Sequence, residues 1–437
     1  RKAMSQIINS QKPIDEILYD LINQEKFDII EQIILCDDKF DVNILVNGEP
    51  ILYYTIKNIS IVKCLINLGL NINIRDCMGK TALHYAAIHN AGIDVFKLLL
   101  NKGSYVSFVI RELFDPYVIH YVAKNKQGMD IIDLLIDNGA DIHAVDSIGR
   151  TVLHYAVGTS LDMMKHLVNK GANIYAVTSD ICYRGIDGET RRQTVLHAAA
   201  KINGECHDDL NIISFLLDNG SNIHALDSYG MKAIHYAVRN KFKKNLKFKK
   251  NLVELLIDRG ANQDDIDKSL FIACKYQNNS TLEIIKILIE KGGNINIKNS
   301  HGCTLLHAAS VAYDANILVV SYLLNNMTDI NALYEDYTVY HFAIASNNKE
   351  IAELLLSDYR TKRKRPKNKE YGIIYDSILK SIKKRRNQAR FRGLIRAAIV
   401  FRRMRLQASR KVYAIGGSGY LAAAANFKSI QLNMTNI

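Results

Sequence analysis

The sequence predicts an all-α protein: a solenoid of about nine or ten helix–turn–helix units with β-hairpin tips, followed by a basic helical tail. Three observations predict it. The first is repetition: Tyr53, His84, His120, His154, His197, His235, Phe271, His307 and His341 hold equivalent positions at intervals of 31 to 43 residues, a spacing that marks helical arrays. The second is size. A chain of 437 residues, 48% apolar, exceeds the roughly 250–300 residues at which a single core stops growing, but suits a stack whose units share interior only with neighbours. The third is charge. The net charge is +13, yet from Arg360 onward there are 21 Lys/Arg against 2 Asp/Glu, and before it 36 against 42. A mildly acidic body carries a basic tail.

The elements follow in chain order. Residues 1–45 read as an N-terminal capping region, with a helix pair over Ile14 to Leu35. Residues 46–359 read as the array. Its clearest unit runs Asp146-Ser147-Ile148-Gly149-Arg150-Thr151-Val152-Leu153-His154-Tyr155-Ala156, and ends Leu167-Val168-Asn169-Lys170-Gly171-Ala172-Asn173-Ile174. The Thr is expected to cap the first helix. The Leu-Val or Leu-Leu of the second helix fills space between units. The following Gly ends that helix, since it tolerates the left-handed conformation. The Asn/Asp-Ile segment then opens a hairpin that closes at the next Asp-x-x-Gly. The same frame recurs at Asp76 to Ala87, Asp227 to Ala237 and Ser300 to Ala309.

These motifs resemble the ankyrin repeat family, whose pattern is G-x-T-P-L-H-x-A-A, V-x-x-L-L, G-A-x-x-N. The resemblance spans about Asp15 to Tyr359. It implies a structural role for Thr81, His84, Thr151, His154, Thr194, His197, His235, Thr304, His307 and His341, the His holding hairpin to helix. The family's Pro is missing: Ala82, Val152, Val195, Ala233, Leu305 and Val339 stand in its place, so these helix starts are less pre-organised. The units at Phe114 to His120 and Leu270 to Ala273 are degenerate, and read as weak points. Insertions lie at Thr178 to Arg192, Asn203 to Asp209 and Phe242 to Asn251. The last alternates Phe/Leu with Lys, as a loop or helix extension or as a basic contact.

In the family, hairpin tips and the exposed side of the first helices contact partners. The tip candidates are Met78, Lys80, Ile148, Arg150, Tyr229, Met231, His301, Tyr334 and Asp336. Tyr85, Tyr121, Tyr155 and Tyr236 each follow the repeat His, as framework or as a ligand-binding ladder. The His series is not a metal site, because each His belongs to a separate unit and metal–nitrogen bonds are about 2 Å long. Cys206-His207-Asp208-Asp209 offers no second ligand group, and Gly416-Gly417-Ser418-Gly419 lacks the strand–helix context of a phosphate loop. No nucleophile-elbow, H-E-x-x-H or Walker pattern occurs. The expectation is a non-enzymatic protein without a cofactor or metal.

Seven cysteines are scattered without a C-x-x-C pair, which fits reduced thiols in a reducing, cytoplasmic setting. Arg1 to Ser10 lack a signal peptide's apolar core, no stretch is long enough to span a bilayer, and a start at Arg1 reads as a truncated or processed N-terminus. Beyond the array, residues 360–370 read as a basic linker. Residues 371–412 read as a basic amphipathic helical segment, and 413–437 as a Gly/Ala-rich tail. Lys362, Arg363, Lys364, Arg365 and Lys383, Lys384, Arg385, Arg386 form two basic clusters suited to nuclear import or anion binding. Phe391, Leu394, Ile395, Ala398 and Phe401 make an apolar stripe; it serves a partner or caps the last repeat over Leu354 to Leu356. Gln388 to Gly393 is an incomplete match to a calmodulin-binding motif. The Ile/Asn/Lys-rich repeats look like those of poxviruses, giant viruses and intracellular bacteria. The expected function is a scaffold for protein partners, host factors or complex components, in the host cytoplasm or nucleus. The alternative is a structural protein gripping nucleic acid or an anionic surface through residues 360–411.

Overall fold

The computed structural model describes residues 12–388, apart from 37–39, 77, 107–116, 127, 180–191, 203–207, 240–244, 279, 313–314, 335–336, 359, 363–365, 367–371 and 386–387. The described chain is helical, and its only two-stranded ladder among these residues joins β1 (Leu45–Val46) to β2 (Glu49–Pro50). It divides into two units, Arg1–Ile297 and Lys298–Ile437.

In the first unit an N-terminal pair, α1 (Ile14–Asn23) and α2 (Phe27–Cys36), precedes seven further pairs. These are α3 (Ile51–Thr55) with α4 (Ile59–Asn67), α5 (Ala82–Ile88) with α6 (Ile93–Asn101), and α7 (Val118–Ala123) with α8 (Met129–Asp137). Then come α9 (Val152–Ala156) with α10 (Leu161–Asn169), α11 (Val195–Ala200) with α12 (Asp209–Asp218), α13 (Ala233–Arg239) with α14 (Leu246–Asp258), and α15 (Gln263–Lys275) with α16 (Thr281–Glu290). First helices stack on first helices from α3 through α15. The second helices α2, α4, α6 and α8 stack in turn, as do α10, α12, α14 and α16. The second unit repeats the scheme with α17 (Leu305–Ser310), α18 (Ile317–Asn326), α19 (Val339–Ala345) and α20 (Lys349–Ser357).

The local reasons are legible. Short first helices bury nearly every residue: Leu83, Ala86, Leu153, Ala156, Leu196 and Ala199 are at most 1% exposed. Their small Ala side chains let neighbouring helices approach closely. In the first unit the second helices α4 to α16 end at a glycine in the left-handed region, as at Gly139, where φ is +90°. A β-carbon there would meet no atom within 4 Å, so conformation rather than space demands glycine.

Where the consensus fails, other residues take over. Tyr117 and Lys232 replace the capping Thr, yet their backbone N–H groups still donate to His120 and His235 Nδ1 at 3.0 and 2.9 Å. The α15 repeat discards Thr and His together. Asn262 caps α15 from its side chain, and Asp265 answers to the Asn262 N–H at 3.1 Å. Asp265, 4% exposed, also pairs with Lys232 of the preceding repeat at 2.6 Å. The two degenerate units expected to be weak are therefore capped by alternative chemistry.

In the second unit, residues 372–385 form a helix that buries Tyr375, Ile378 and Ile382. The Tyr375 ring lies 5.9 Å from that of Tyr340, Ser381 Oγ donates to Glu353 at 3.3 Å, and Arg385 pairs with Glu353 at 2.9 Å. This helix covers the last repeat, an apolar face that an array must hide at its end. The Phe391–Phe401 stripe, for which the sequence offers a capping role beside a partner-binding one, lies outside the described residues.

Candidate protein-interaction surface

Three hairpin tips are built around a carboxylate: Asp76, Asp146 and Asp227. Asp146 Oδ1 accepts the backbone N–H groups of Ile148 and Arg150 at 3.0 and 2.8 Å. Its Oδ2 accepts from Arg150 Nε at 2.6 Å and the Tyr155 hydroxyl at 2.7 Å. Asp76 does the same with Met78, Lys80 and Tyr85, and Asp227 with Tyr229, Met231 and Tyr236. Asn299 holds the His301 and Cys303 N–H groups, and Ala308 stands where the Tyr would be. The Tyr hydroxyl and the carboxylate thus come as a pair. This settles the Tyr series as framework in three repeats: burial and the adjacent Asp push Tyr85 and Tyr155 well above the usual phenol range, so both stay protonated donors.

The repeat His residues complete the frame. The Thr81, Thr151, Thr194, Thr304 and Thr338 N–H groups donate to Nδ1 of His84, His154, His197, His307 and His341 at 3.1–3.3 Å. Nδ1 is therefore the acceptor and Nε2 carries the proton. Nε2 of His120, His154 and His197 donates to Ala144, Gln193 and Met231 carbonyls of the next repeat at 3.0–3.2 Å. Tyr53, in the His position of its repeat, sends its hydroxyl to the Ile74 and Lys80 carbonyls instead. Burial lowers His84, His120, His154, His235 and His307 to about 4. Among the described residues no group of three or more His, Cys, Asp or Glu is placed to hold a metal.

The sequence-selected tip residues scatter on this frame. Met78 is 43% exposed and Tyr229 52%; His301 is also exposed, and Lys80, Met231 and Tyr334 are half-buried. Lys80 leans on the Met78 sulfur at 3.5 Å. Arg150 is committed to Asp146 and lies over the Tyr155 ring at 4.6 Å. Ile148 is a correction: at 2% exposure it is interior, because its carbonyl accepts the Ser179 N–H and pins the tip against the next repeat. Asp336, Arg363, Lys364, Arg365 and Arg386 lie outside the described residues, as do the parts of the insertions at 180–191, 203–207 and 242–244. Lys362 is tied through its N–H to Asn331 Oδ1 at 2.7 Å. Lys383, Lys384 and Arg385 ride on the 372–385 helix as exposed residues. Of the Phe242–Asn251 insertion, residues 246–251 extend α14 and bury Phe248 and Lys249 at 8% and 6% exposure, and burial lowers the Lys249 amine to about 8.

The strongest surface feature was missed from sequence. Along each hairpin, alternate residues turn inward and outward. The residue just before the tip turn points out, and in three successive repeats it is apolar: Val145, Val177 and Leu226, 49%, 45% and 58% exposed. Two residues earlier, His143, Tyr175 and His224 also face solvent. Between the first two tips lies a cavity of about 250 Å³, lined by Ile142, His143, Val145, Gly149, Thr151, Asn173, Ala176 and Val177. Its floor is tight: a β-carbon on Gly149 would fall 2.7 Å from the Ser179 nitrogen. The period-2 burial alternation was the available signal.

A family model described as ankyrin repeats (3 copies) matches residues 18–111, 107–178, 176–267 and 270–365. An ankyrin repeat protein of fowlpox virus is 30% identical over 185 residues, 39% of this chain and 50% of that protein. One of Acanthamoeba polyphaga mimivirus is 27% identical over 321 residues, 71% of this chain and 34% of that protein. The mouse B-cell lymphoma 3 protein homolog is 29% identical over 179 residues, 39% of this chain and 34% of that protein. The matched stretch thus spans half of the fowlpox relative and about a third of the others. With the four matches covering most of its length, this chain belongs to the ankyrin repeat family.

Proposed function

We propose that the chain is a non-catalytic scaffold that holds a protein partner against the hairpin tips of its first unit. One observation carries the reading: Val145, Val177 and Leu226 are exposed apolar residues at the same hairpin position of three successive repeats, a ridge of equivalent positions, and Tyr175 and Tyr229 are exposed on the same hairpins. Contiguous exposed apolar and aromatic surface is what partners cover. The tips beside the ridge are held in place, by Asp146 and Asp227 at two of them and by Thr178 hydrogen bonds to Gln193 at the third, so binding costs little ordering entropy. The viral relatives support a host protein, or a component of a viral complex, as the partner. In this reading the scaffold works in a reducing compartment; no helix among the described residues is long and apolar enough to cross a membrane.

The experiment is site-specific photo-crosslinking in the native cell. A photoreactive residue at 145, 177 or 226 is expected to trap one protein, and the same residue at exposed Lys97 or Lys165 on the second helices is expected to trap none. Equal trapping at both sets of positions contradicts the tip assignment. A second reading gives residues 360–411 a nucleic-acid or anionic-surface role, supported by the 21 basic residues from Arg360 onward; its mark is affinity that falls steeply with salt.

A further inference from the structure

A second row of side chains runs along the ends of the first helices, four residues after each repeat His or its equivalent. In the first unit this position holds Lys57, Ile88, Lys124, Gly158, Lys201, Arg239 and Lys275. The cations reach across repeats. Lys124 Nζ lies 4.9 Å from the centre of the Tyr155 ring, Lys201 Nζ 4.6 Å from that of Tyr236, and the Arg239 guanidinium 4.9 Å from that of Tyr276, with Lys275 5.5 Å from the same ring. The row has no cation at Gly158, and Arg150, which also lies over Tyr155, is held by Asp146; after Ile88 comes exposed His89. Neighbouring charges sense each other: Arg150 adds to the burial that lowers Lys124, and Lys57 to the burial that lowers His89.

The row is basic within a body whose net charge is acidic. The nearby carboxylates Asp76, Asp146 and Asp227 are engaged by their own tyrosine hydroxyls, and Glu49 accepts from Tyr85 at 3.2 Å. Helix geometry does not require the cations, because the second unit places Val311 and Ala345 at the same position. The tyrosine faces that nucleic-acid bases would stack on are already covered by Lys and Arg. Repeat-spaced point charges, rather than a continuous track, fit carboxylates carried at intervals on an extended peptide.

We propose that this row binds an extended acidic segment of a protein partner. It rests on the scaffold reading above but uses a different face from the tip ridge. The test uses the full chain and a fluorescent Glu-rich peptide of about fifteen residues, followed by anisotropy at low and high salt. The variant Lys124→Glu/Lys201→Glu/Arg239→Glu is expected to bind about tenfold more weakly or worse, while Lys97→Glu/Lys165→Glu leaves binding unchanged. Lys124→Met/Lys201→Met/Arg239→Met keeps the hydrocarbon stems over the rings and is expected to lose affinity with an unchanged thermal transition. A photoreactive peptide is expected to label residues 118–124, 195–201 and 233–239. Unchanged affinity in the Met variant, or labelling confined to residues beyond 360, overturns the proposal. So does an oligothymidine of equal charge that binds the row as tightly as the peptide. The tip variant Val145→Ser/Val177→Ser/Leu226→Ser separates the two readings: it is expected to abolish partner capture while retaining the peptide.

Discussion

At the residue scale, Asp146 shows how much one side chain decides. It holds two backbone N–H groups, a guanidinium and a phenol, with its own side chain sealed from solvent. Replacing it by Ala leaves Arg150 and Tyr155 without their anion and frees the tip. The expected cost is about 3 kcal/mol, read as a shift in the urea midpoint; a loss below about 0.5 kcal/mol contradicts the assignment. The buried histidines set a pH response. Their folded values near 4 lie below the ordinary 6.5, so the neutral ring is the folded form. The stability they contribute is present above about pH 6.5 and is lost as pH falls toward about 4. Thermal scans from pH 7.5 to 4.5 are expected to show a falling transition temperature across that window, and a flat profile contradicts the reading of these histidines as buried neutral rings. The Thr, His and Gly positions were legible because each repeats with its motif. The Asp–Tyr pairing was not, because it links a turn to a helix nine residues later and shows only once distances are known.

At the element scale, the array tolerates broken consensus by exchanging one capping chemistry for another. In α15 the exchange is the Lys232–Asp265 pair, with 14% and 6% of the two side chains exposed. Asp265→Ala strands a buried cation and is expected to destabilise by about 3–5 kcal/mol. The double change Lys232→Met/Asp265→Leu is expected to recover most of that. If the single and double variants unfold together, the pair is not what ties these repeats. Gly149 is the corresponding test of a tip: Gly149→Ala forces a side chain into a left-handed conformation against the Ser179 backbone, at an expected cost of about 1–3 kcal/mol. Degeneracy at Phe114 and Leu270 looked like weakness in sequence because the motif was absent. The replacement residues, Tyr117 and Asn262, act through backbone N–H geometry and a side-chain cap that no family pattern encodes.

At the scale of the molecule, each unit's interior is assembled from faces that no helix pair could bury alone. That leaves hairpin tips and first-helix ends as outward surfaces of constant spacing. Repeat number and helix pairing were readable from periodicity. The ridge at Val145, Val177 and Leu226 is not encoded in the repeat motif, whose signal lies in the turn residues rather than in the strand residue preceding them. The most direct measurement of the central claim is partner capture by the full chain carrying Val145→Ser/Val177→Ser/Leu226→Ser, beside its thermal transition. The account predicts loss of the photo-crosslinked partner with a transition within about 2 °C of the parent, since these side chains already face water. Full retention of that partner by the folded variant would contradict it.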